Sequence, residues 1–492
     1  MNAIIYLVVL PLGTAFLLGI LYFFKKTYSR SLIMVSVLLH SGLIFWISRQ
    51  ALFEPLLYSP GDWDRLGIFL LVDSFSVLML SLTGLLVPLA VIYSWRWVDH
   101  NEAKYYILLF ILTAGISGMV ITADLFNLFV FFEITSIASY ALVAIPKKDA
   151  SIEGTLKYII PGTIGGLFVL AGIILTYQGT GHLGLAGIAR EFHLIPELIQ
   201  KTIIAFFVFG FGLKIALVPL HTWLPDSYTG APLPYNVLSS GLVINAPLLA
   251  LLRILYLFLN PELIQSGGIT GLLLMLGALT IIVGHITAYQ QDNIMRLLAY
   301  SSVAQMGYII IGPALATEAG LIGGSLHMLN HALMKGALFF SAGLLIIKAK
   351  SRNINDFQGL GSSLPLVSAA FVISGLAIVG LPPFNGFVSK LLLLQATLES
   401  EQFLPALIIL LGSFLSLIYY LKIFTILYSK KGSSEIKKYD PAGLWSLKAP
   451  ALLLSSLCLI LGLVPSLPLK IINKIPHHLM ESINFIELFP GG

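Results

Sequence analysis

The sequence predicts an all-α polytopic membrane protein of about fourteen transmembrane helices, with two inverted five-helix repeats (spans 4–8 and 9–13) and breaks in spans 7 and 12. Three observations predict it. Of 492 residues, 57% are hydrophobic and 10% charged, with a mean hydropathy of +0.93, whereas soluble domains carry about 25% charge. Apolar runs of about 20 residues, the length of one bilayer crossing, recur along the whole chain. Two of them, GLKIALVPL (212–220) and GLAIVGLPP (375–383), are visibly related, and each is interrupted by proline.

The runs centre near residues 13, 39, 84, 113, 134, 168, 210, 247, 276, 306, 333, 377, 412 and 457. The first, from Ala3 to Phe24, is longer than a signal-peptide core and ends without an A-x-A-like cleavage site, so it reads as a retained helix. Basic residues fall after odd-numbered spans: 25–30, Arg96 with Lys104, Lys147 and Lys148, Lys348 with Lys350 and Arg352, and Lys430, Lys431, Lys437 and Lys438. By the positive-inside rule these loops are cytoplasmic and both termini lie outside, as expected for an even number of spans in a cell's inner (plasma) membrane. Residues 54–65 read as a loop and 187–198 as a short interfacial helix.

Composition also excludes function classes. The one cysteine, Cys458, sits in an apolar run and leaves no disulfide, CxxC motif or thiolate-held cluster. There is no Walker A, G-x-S-x-G or HExxH motif, so ATP-driven transport and hydrolase chemistry have no support, and no cofactor is expected. The net charge of +5 is distributed by topology and gives no nucleic-acid footprint.

The chemistry-bearing residues are the ionisable ones inside apolar runs, which are rare and face protein or water-filled cavities. Lys214 stands five residues before Pro219, which has no N–H to give and clashes with the carbonyl of Ile215, so span 7 must break beside a buried charge. Glu133 lies well inside span 5 and must be protonated or paired, with Lys214 as the expected counter-ion. Its alternatives are a static ion pair, or a neutral acid bonded to Ser136 or the backbone; for Lys214 the alternative is snorkelling to an interface. His221 and Asp226 read as residues of the mouth.

In span 11, His327, His331 and Lys335 recur every four residues and share one helix face. Two histidines with exchangeable ring protons suit a relay. A metal site lacks a third ligand at a familiar spacing and has a lysine beside it, and interhelical hydrogen bonding is the structural alternative. Span 12 repeats the device of span 7, with Pro382 and Pro383 at the break and Lys390 after it. Between the two lies span 8, which offers at its middle only Asn245, a residue that can hold water but cannot titrate.

DLFNLFVFFEI (124–134), KIALVPLHTWLPD (214–226), SSVAQMGY (301–308), HMLNHALMKG (327–336) and GLPPFNGF (380–387) resemble the antiporter-like subunits shared by respiratory complex I, energy-converting hydrogenases and Mrp-type Na+/H+ antiporters, the D-type Mrp subunit above all. The resemblance implies a fourteen-helix fold with a central polar axis and other membrane subunits as partners. Carried over by position, Glu133 and Lys214 form the first charged pair, His327, His331 and Lys335 the connecting relay, and Lys390 the terminal lysine. Asn245 departs from it, because many relatives have a lysine there. The expected function is proton translocation, alone or in exchange for Na+, within a multisubunit complex; the alternative is a non-conducting scaffold subunit. The expected organisation is spans 1–3 in 1–100, the first repeat in 101–260, the second in 261–428, and a cytoplasmic loop with the last helix in 429–492.

Overall fold

Helix starts are set by short polar side chains that accept the first free backbone N–H groups. Asp73 takes the N–H of Ser76, Asp124 that of Asn127, Asn293 that of Met295 and Thr317 that of Gly320. The computed structural model describes residues 2–25, 29–60, 68–97, 102–259, 264, 268–429, 445–480, 486, 488 and 489. Its helices are α1 (Tyr6–Lys25), α2 (Arg30–Ala51), α3 (Ser74–Ser94), α4 (Glu102–Ile121), α5 (Leu125–Ala144), α6 (Asp149–Thr180), α7 (Leu185–Glu191), α8 (Glu197–Lys214), α9 (Trp223–Gly230), α10 (Leu233–Leu238) and α11 (Asn245–Phe258). They continue as α12 (Ile269–Tyr289), α13 (Ile294–Ala314), α14 (Glu318–Ala349), the one-turn α15 (Leu360–Ser363), α16 (Pro365–Val379), α17 (Asn385–Glu399), α18 (Phe403–Tyr428), α19 (Trp445–Leu463), α20 (Ser466–Ile472) and α21 (Ile475–Met480).

Among the described residues, twelve helices are long and apolar enough to cross a membrane. The pairs α8–α9 and α16–α17 are not among them: α8 carries three charged residues, Glu197, Lys201 and Lys214, α9 has only eight residues, and α16 and α17 are 15 residues each. The run Leu233–Phe258 is wholly buried and α14 largely so, whereas α1, α2, α12 and α19 bury well under half, which puts the first two at the centre and the others at the periphery. At 32 residues α14 is about 48 Å long at 1.5 Å per residue. It packs on α13, α16, α17, α19, α10 and α3.

Both interruptions settle their freed backbone groups inside the protein, as a membrane requires. After Lys214, Ala216 turns to φ 57, Leu217 N–H bonds Gly212 O at 2.9 Å, Val218 N–H bonds Thr280 Oγ1 at 3.0 Å, and Trp223 Nε1 donates to Leu213 O at 2.9 Å. After Val379, Gly380 takes φ 92, which only glycine adopts without strain, and Leu381 N–H bonds Leu376 O at 3.2 Å. The peptide bonds Val218–Pro219 and Pro382–Pro383 are both cis.

Three local features add to the expectation. The stretch 54–65, expected as a loop, contributes a strand: β1 (Leu56–Tyr58) pairs antiparallel with β2 (Leu70–Val72), and Leu70 bridges to Thr122 at the end of α4. Three-residue strands are too short to register as alternation in sequence, and residues 61–65 lie outside the described residues. The interfacial helix expected at 187–198 is α7, followed by a 3-10 turn at Phe192–Leu194. Span 8 carries a π-helical turn at Ser239–Val243, with Ile244 N–H bonding Ser239 O at 3.2 Å. Pro247 explains it: with no N–H for Val243 O, the ladder loosens one turn earlier. Lys430, Lys431, Lys437 and Lys438 lie outside the described residues.

Candidate functional site

A chain of buried polar groups runs through the middle of the helices. It starts at Lys214, the last residue of α8, only 3% exposed. Its ammonium donates to the Tyr140 hydroxyl at 2.5 Å and to Ser136 Oγ at 2.7 Å, both on α5. It also lies 4.7 to 5.4 Å from the ring centres of Phe132, Tyr140 and Tyr158, so aromatic faces replace water around the charge.

Glu133, expected as the counter-ion, is half-buried and within electrostatic reach of Lys214, but the direct contacts of the ammonium are the two hydroxyls. Spacing explains it: Ser136 and Tyr140 stand three and seven residues beyond Glu133, on one helix face. The wall opposite is α6, where a Cβ on Gly162 would meet the Tyr140 hydroxyl and the Lys214 ammonium, and one on Gly166 would meet Glu133 Oε1. Glycine at these two positions lets the α6 backbone close the site.

Beyond Tyr140 the hydroxyls continue. Tyr140 and Tyr158 meet edge to face at 4.7 Å, Tyr158 stacks on Trp223 at 4.0 Å, and Tyr235 stands beside Tyr158, Ser139 and Ser239. The Tyr228, Tyr235 and Ser239 hydroxyls have no protein hydrogen-bond partner of ordinary geometry. Asn245 opens α11 directly after the π turn, fully buried; its amide donates to Gly241 O at 2.9 Å and its Oδ1 has no partner. Gly241 in turn packs beside Ala332 of α14, the neighbour of His331 in sequence.

His327, His331 and Lys335 are all fully buried. Neither ring nitrogen of His331 has a protein hydrogen-bond partner. Lys335 donates to Leu298 O at 2.9 Å, and His327 lies between Ser389 Oγ and Gln305 Oε1, 2.9 Å from each. Lys390, 5% exposed, reaches back over the second interruption and donates to Ile378 O at 2.9 Å and Val379 O at 3.1 Å, where a cation meets the negative end of α16. It also bonds Ser413 Oγ at 3.1 Å and lies 4.4 Å from the Tyr308 ring centre. The structure thus ranges Glu133 and Lys214 at one interruption, Lys390 at the other, and His327, His331 and Lys335 on the helix between. Among the described residues, no three His, Cys, Asp or Glu side chains come together to hold a metal ion.

Sequence reasoning missed two groups. Arg253 and Asp73 form a fully buried ion pair, NH2 of the guanidinium lying 2.8 Å from both carboxylate oxygens, with Ser76 Oγ and Val120 O as further partners. A lone arginine in LLALLRILYLF (248–258) is the signal that could have found it. His285 on α12 is buried between the hydroxyls of Tyr308 and Tyr419. Asp226, expected at a mouth, joins Lys157 of α6 at 2.9 Å and Arg296 of α13.

Membrane helices that enclose a series of buried lysines and histidines define a multi-pass protein of the antiporter-like class. The chain belongs to the family described as "NADH:quinone oxidoreductase/Mrp antiporter, TM", whose model matches residues 122–418. It is 34% identical over 440 residues to NADH-quinone oxidoreductase subunit N of Desulforudis audaxviator, covering 87% of this chain and 86% of that one. It is 28% identical to the D-type subunit of the Na(+)/H(+) antiporter of Alkalihalophilus pseudofirmus, covering 87% of each. Among solved structures it resembles a chain of the membrane-bound sulfane sulfur reductase, an archaeal respiratory membrane complex, with a TM-score of 0.93, 32% identity and 99% coverage of both chains.

Proposed function

We propose that the chain is a proton-translocating, antiporter-like subunit of a multisubunit membrane complex, and that protons move through Glu133, Lys214, His327, His331, Lys335 and Lys390. The observation that carries this reading is that Lys214, Lys335 and Lys390, each 5% exposed or less, bond hydroxyls and carbonyls and have no carboxylate within 4.0 Å among the described residues. A lysine held this way is desolvated as an ammonium and gains no strong ion pair in return, so its proton is exchangeable.

In the cycle a charge change at Glu133 biases Lys214, because opposite charges favour and like charges disfavour one another. Hydroxyls of Tyr140, Tyr158, Tyr235 and Ser239 carry the displaced proton toward Asn245, and water bridges Asn245 Oδ1 to the unpartnered His331. His331, Lys335 and His327 pass it to Lys390, which delivers it or exchanges it for Na+. The relatives, each a subunit or a chain of a named oxidoreductase or antiporter, support other membrane subunits as partners. The two interruptions, each with proline and a lysine, support halves 101–260 and 261–428 as inverted repeats, flanked by 1–100 and 429–492. The basic loops support an inner-membrane location with both termini outside.

Ion pumping by the assembled complex in vesicles tests the proposal. Glu133→Ala and Lys214→Ala should each abolish it nearly completely, and wild-type transport in both would reject it. One observation favours a second reading, a non-conducting scaffold: Asn245, the only polar side chain at the middle of span 8, does not titrate and its amide is tied to Gly241 O.

A further inference from the structure

Lys390 has a second buried connection, which the six-residue axis does not use. Its ammonium bonds Ser413 Oγ at 3.1 Å, and Ser413 stands beside the Tyr308 hydroxyl. That hydroxyl lies 3.2 Å from His285 Nε2, and His285 Nδ1 lies 3.2 Å from the Tyr419 hydroxyl. Tyr419 donates to Ser301 Oγ at 3.1 Å, which lies 3.3 Å from the Tyr420 hydroxyl. Tyr308, His285, Tyr419, Ser301 and Tyr420 are all 1% exposed or less.

The direction of the chain follows from the surrounding helices. His285 is four residues from the end of α12, Ser301 seven from the start of α13, and Tyr420 eight from the end of α18. These three ends lie on one side of the molecule. There Asn293 bridges Asn353, Arg296 meets Asp226, and an exposed pair, Lys422 with Asp292, stands 3.6 Å apart. Tyr419 and Lys422 are three residues apart on α18, one turn.

We propose that Tyr419, His285 and Tyr308 form a proton branch that joins Lys390 to the surface bearing Asp292 and Lys422. The proposal rests on the reading of this chain as a proton-translocating subunit. An imidazole between two hydroxyls carries a proton without becoming a buried cation: one nitrogen takes a proton from Tyr419 while the other gives its own to Tyr308. Tyr308 passes its former proton through Ser413 to neutral Lys390, Tyr419 regains one from Ser301, and Ser301 is refilled through Tyr420 by a proton entering from the surface of Asp292 and Lys422. Each group of the branch ends with the number of protons it began with, and the ring tautomer is reversed. Reset follows by rotation of the hydroxyls and return of the tautomer. Gly412 keeps the arrangement tight, since a Cβ there would strike the Tyr308 hydroxyl and come to 3.2 Å from His285 Cδ2.

The test is proton translocation by the complete complex in vesicles, with assembly followed by copurification of its subunits. His285→Asn keeps hydrogen-bonding capacity but cannot exchange tautomers, and Tyr419→Phe removes one hydroxyl and keeps the ring. Each should assemble and lose about a hundredfold or more in rate, the scale of a positioned proton-transfer group. The double variant should be no slower than the slower single one, and the H2O/D2O rate ratio should rise, which a packing defect would not cause. Wild-type rates in His285→Asn and Tyr419→Phe, with Lys390→Ala inactive, overturn the branch and leave the translocating function standing. Wild-type rates in Lys390→Ala as well overturn both.

Discussion

The Lys214 ammonium and the Tyr140 hydroxyl are 2.5 Å apart, closer than the 2.7 Å contact of that lysine with Ser136, and Glu133 is not its hydrogen-bond partner. The ammonium expected to meet a carboxylate therefore bonds two uncharged hydroxyls instead. Hydrogen bonds to charged groups contribute about 1.5–3 kcal/mol, or roughly ten- to a hundredfold in an equilibrium. Tyr140→Phe removes this acceptor without changing the ring, so Lys214 turns toward Glu133 and the pair is locked in its charged form. Transport in vesicles should fall by about that factor while assembly is kept. Unchanged transport in Tyr140→Phe would show that Ser136 alone suffices.

Gly166 is the floor under Glu133. Gly166→Val places a branched side chain where Glu133 Oε1 lies, and the carboxylate must leave the α6 wall. Transport should drop by about a hundredfold or more, the cost of displacing a positioned proton-transfer group. Gly13→Val is the control, since nothing lies within 4 Å of a Cβ at that position. Equal transport in the two variants would sever Glu133 from the pathway.

The buried pair of Arg253 and Asp73 ties α11 to α3 and, through Val120 O, to α4. Breaking a buried pair from one side leaves an uncompensated charge and costs about 3–5 kcal/mol, whereas replacing both partners by apolar residues is often neutral. Arg253→Met should lower the melting temperature of the purified protein clearly, and Arg253→Met with Asp73→Leu should recover most of the loss. A double variant as unstable as the single would show that the hydrogen bonds to Ser76 and Val120, rather than the charges, hold these ends.

What was legible in the sequence was whatever a local pattern encodes. Apolar length marks the spans, proline marks the places where α8 and α16 stop, and charges inside apolar runs mark Lys214, His327, His331, Lys335 and Lys390. The groups that meet those charges were not legible, because tyrosine and serine in a membrane helix look alike whether they face a neighbour or a lysine. Tyr140 meets Lys214 across 74 residues, and His285 meets Tyr419 across 134. Only the packed helices bring them together. The π turn at Ser239–Val243 was hidden for another reason: Pro247 announces a disturbance, but which turn absorbs it depends on the helices packed around span 8.

Asn245 is where the two readings of the chain separate. Its amide bonds Gly241 O and its buried Oδ1 is free of protein partners, so the side chain offers one unused acceptor inside the protein. If water on that acceptor carries the proton, Asn245→Leu, which removes the polar group at similar volume, should reduce transport by about a hundredfold, the loss of a positioned transfer step. Asn245→Lys should keep transport, because a lysine can take and give the proton itself. A wild type that fails to transport, with Asn245→Lys assembled and equally inactive, favours the scaffold. Transport by the wild type that vanishes only in Asn245→Leu assigns the link between the two interrupted helices to this residue.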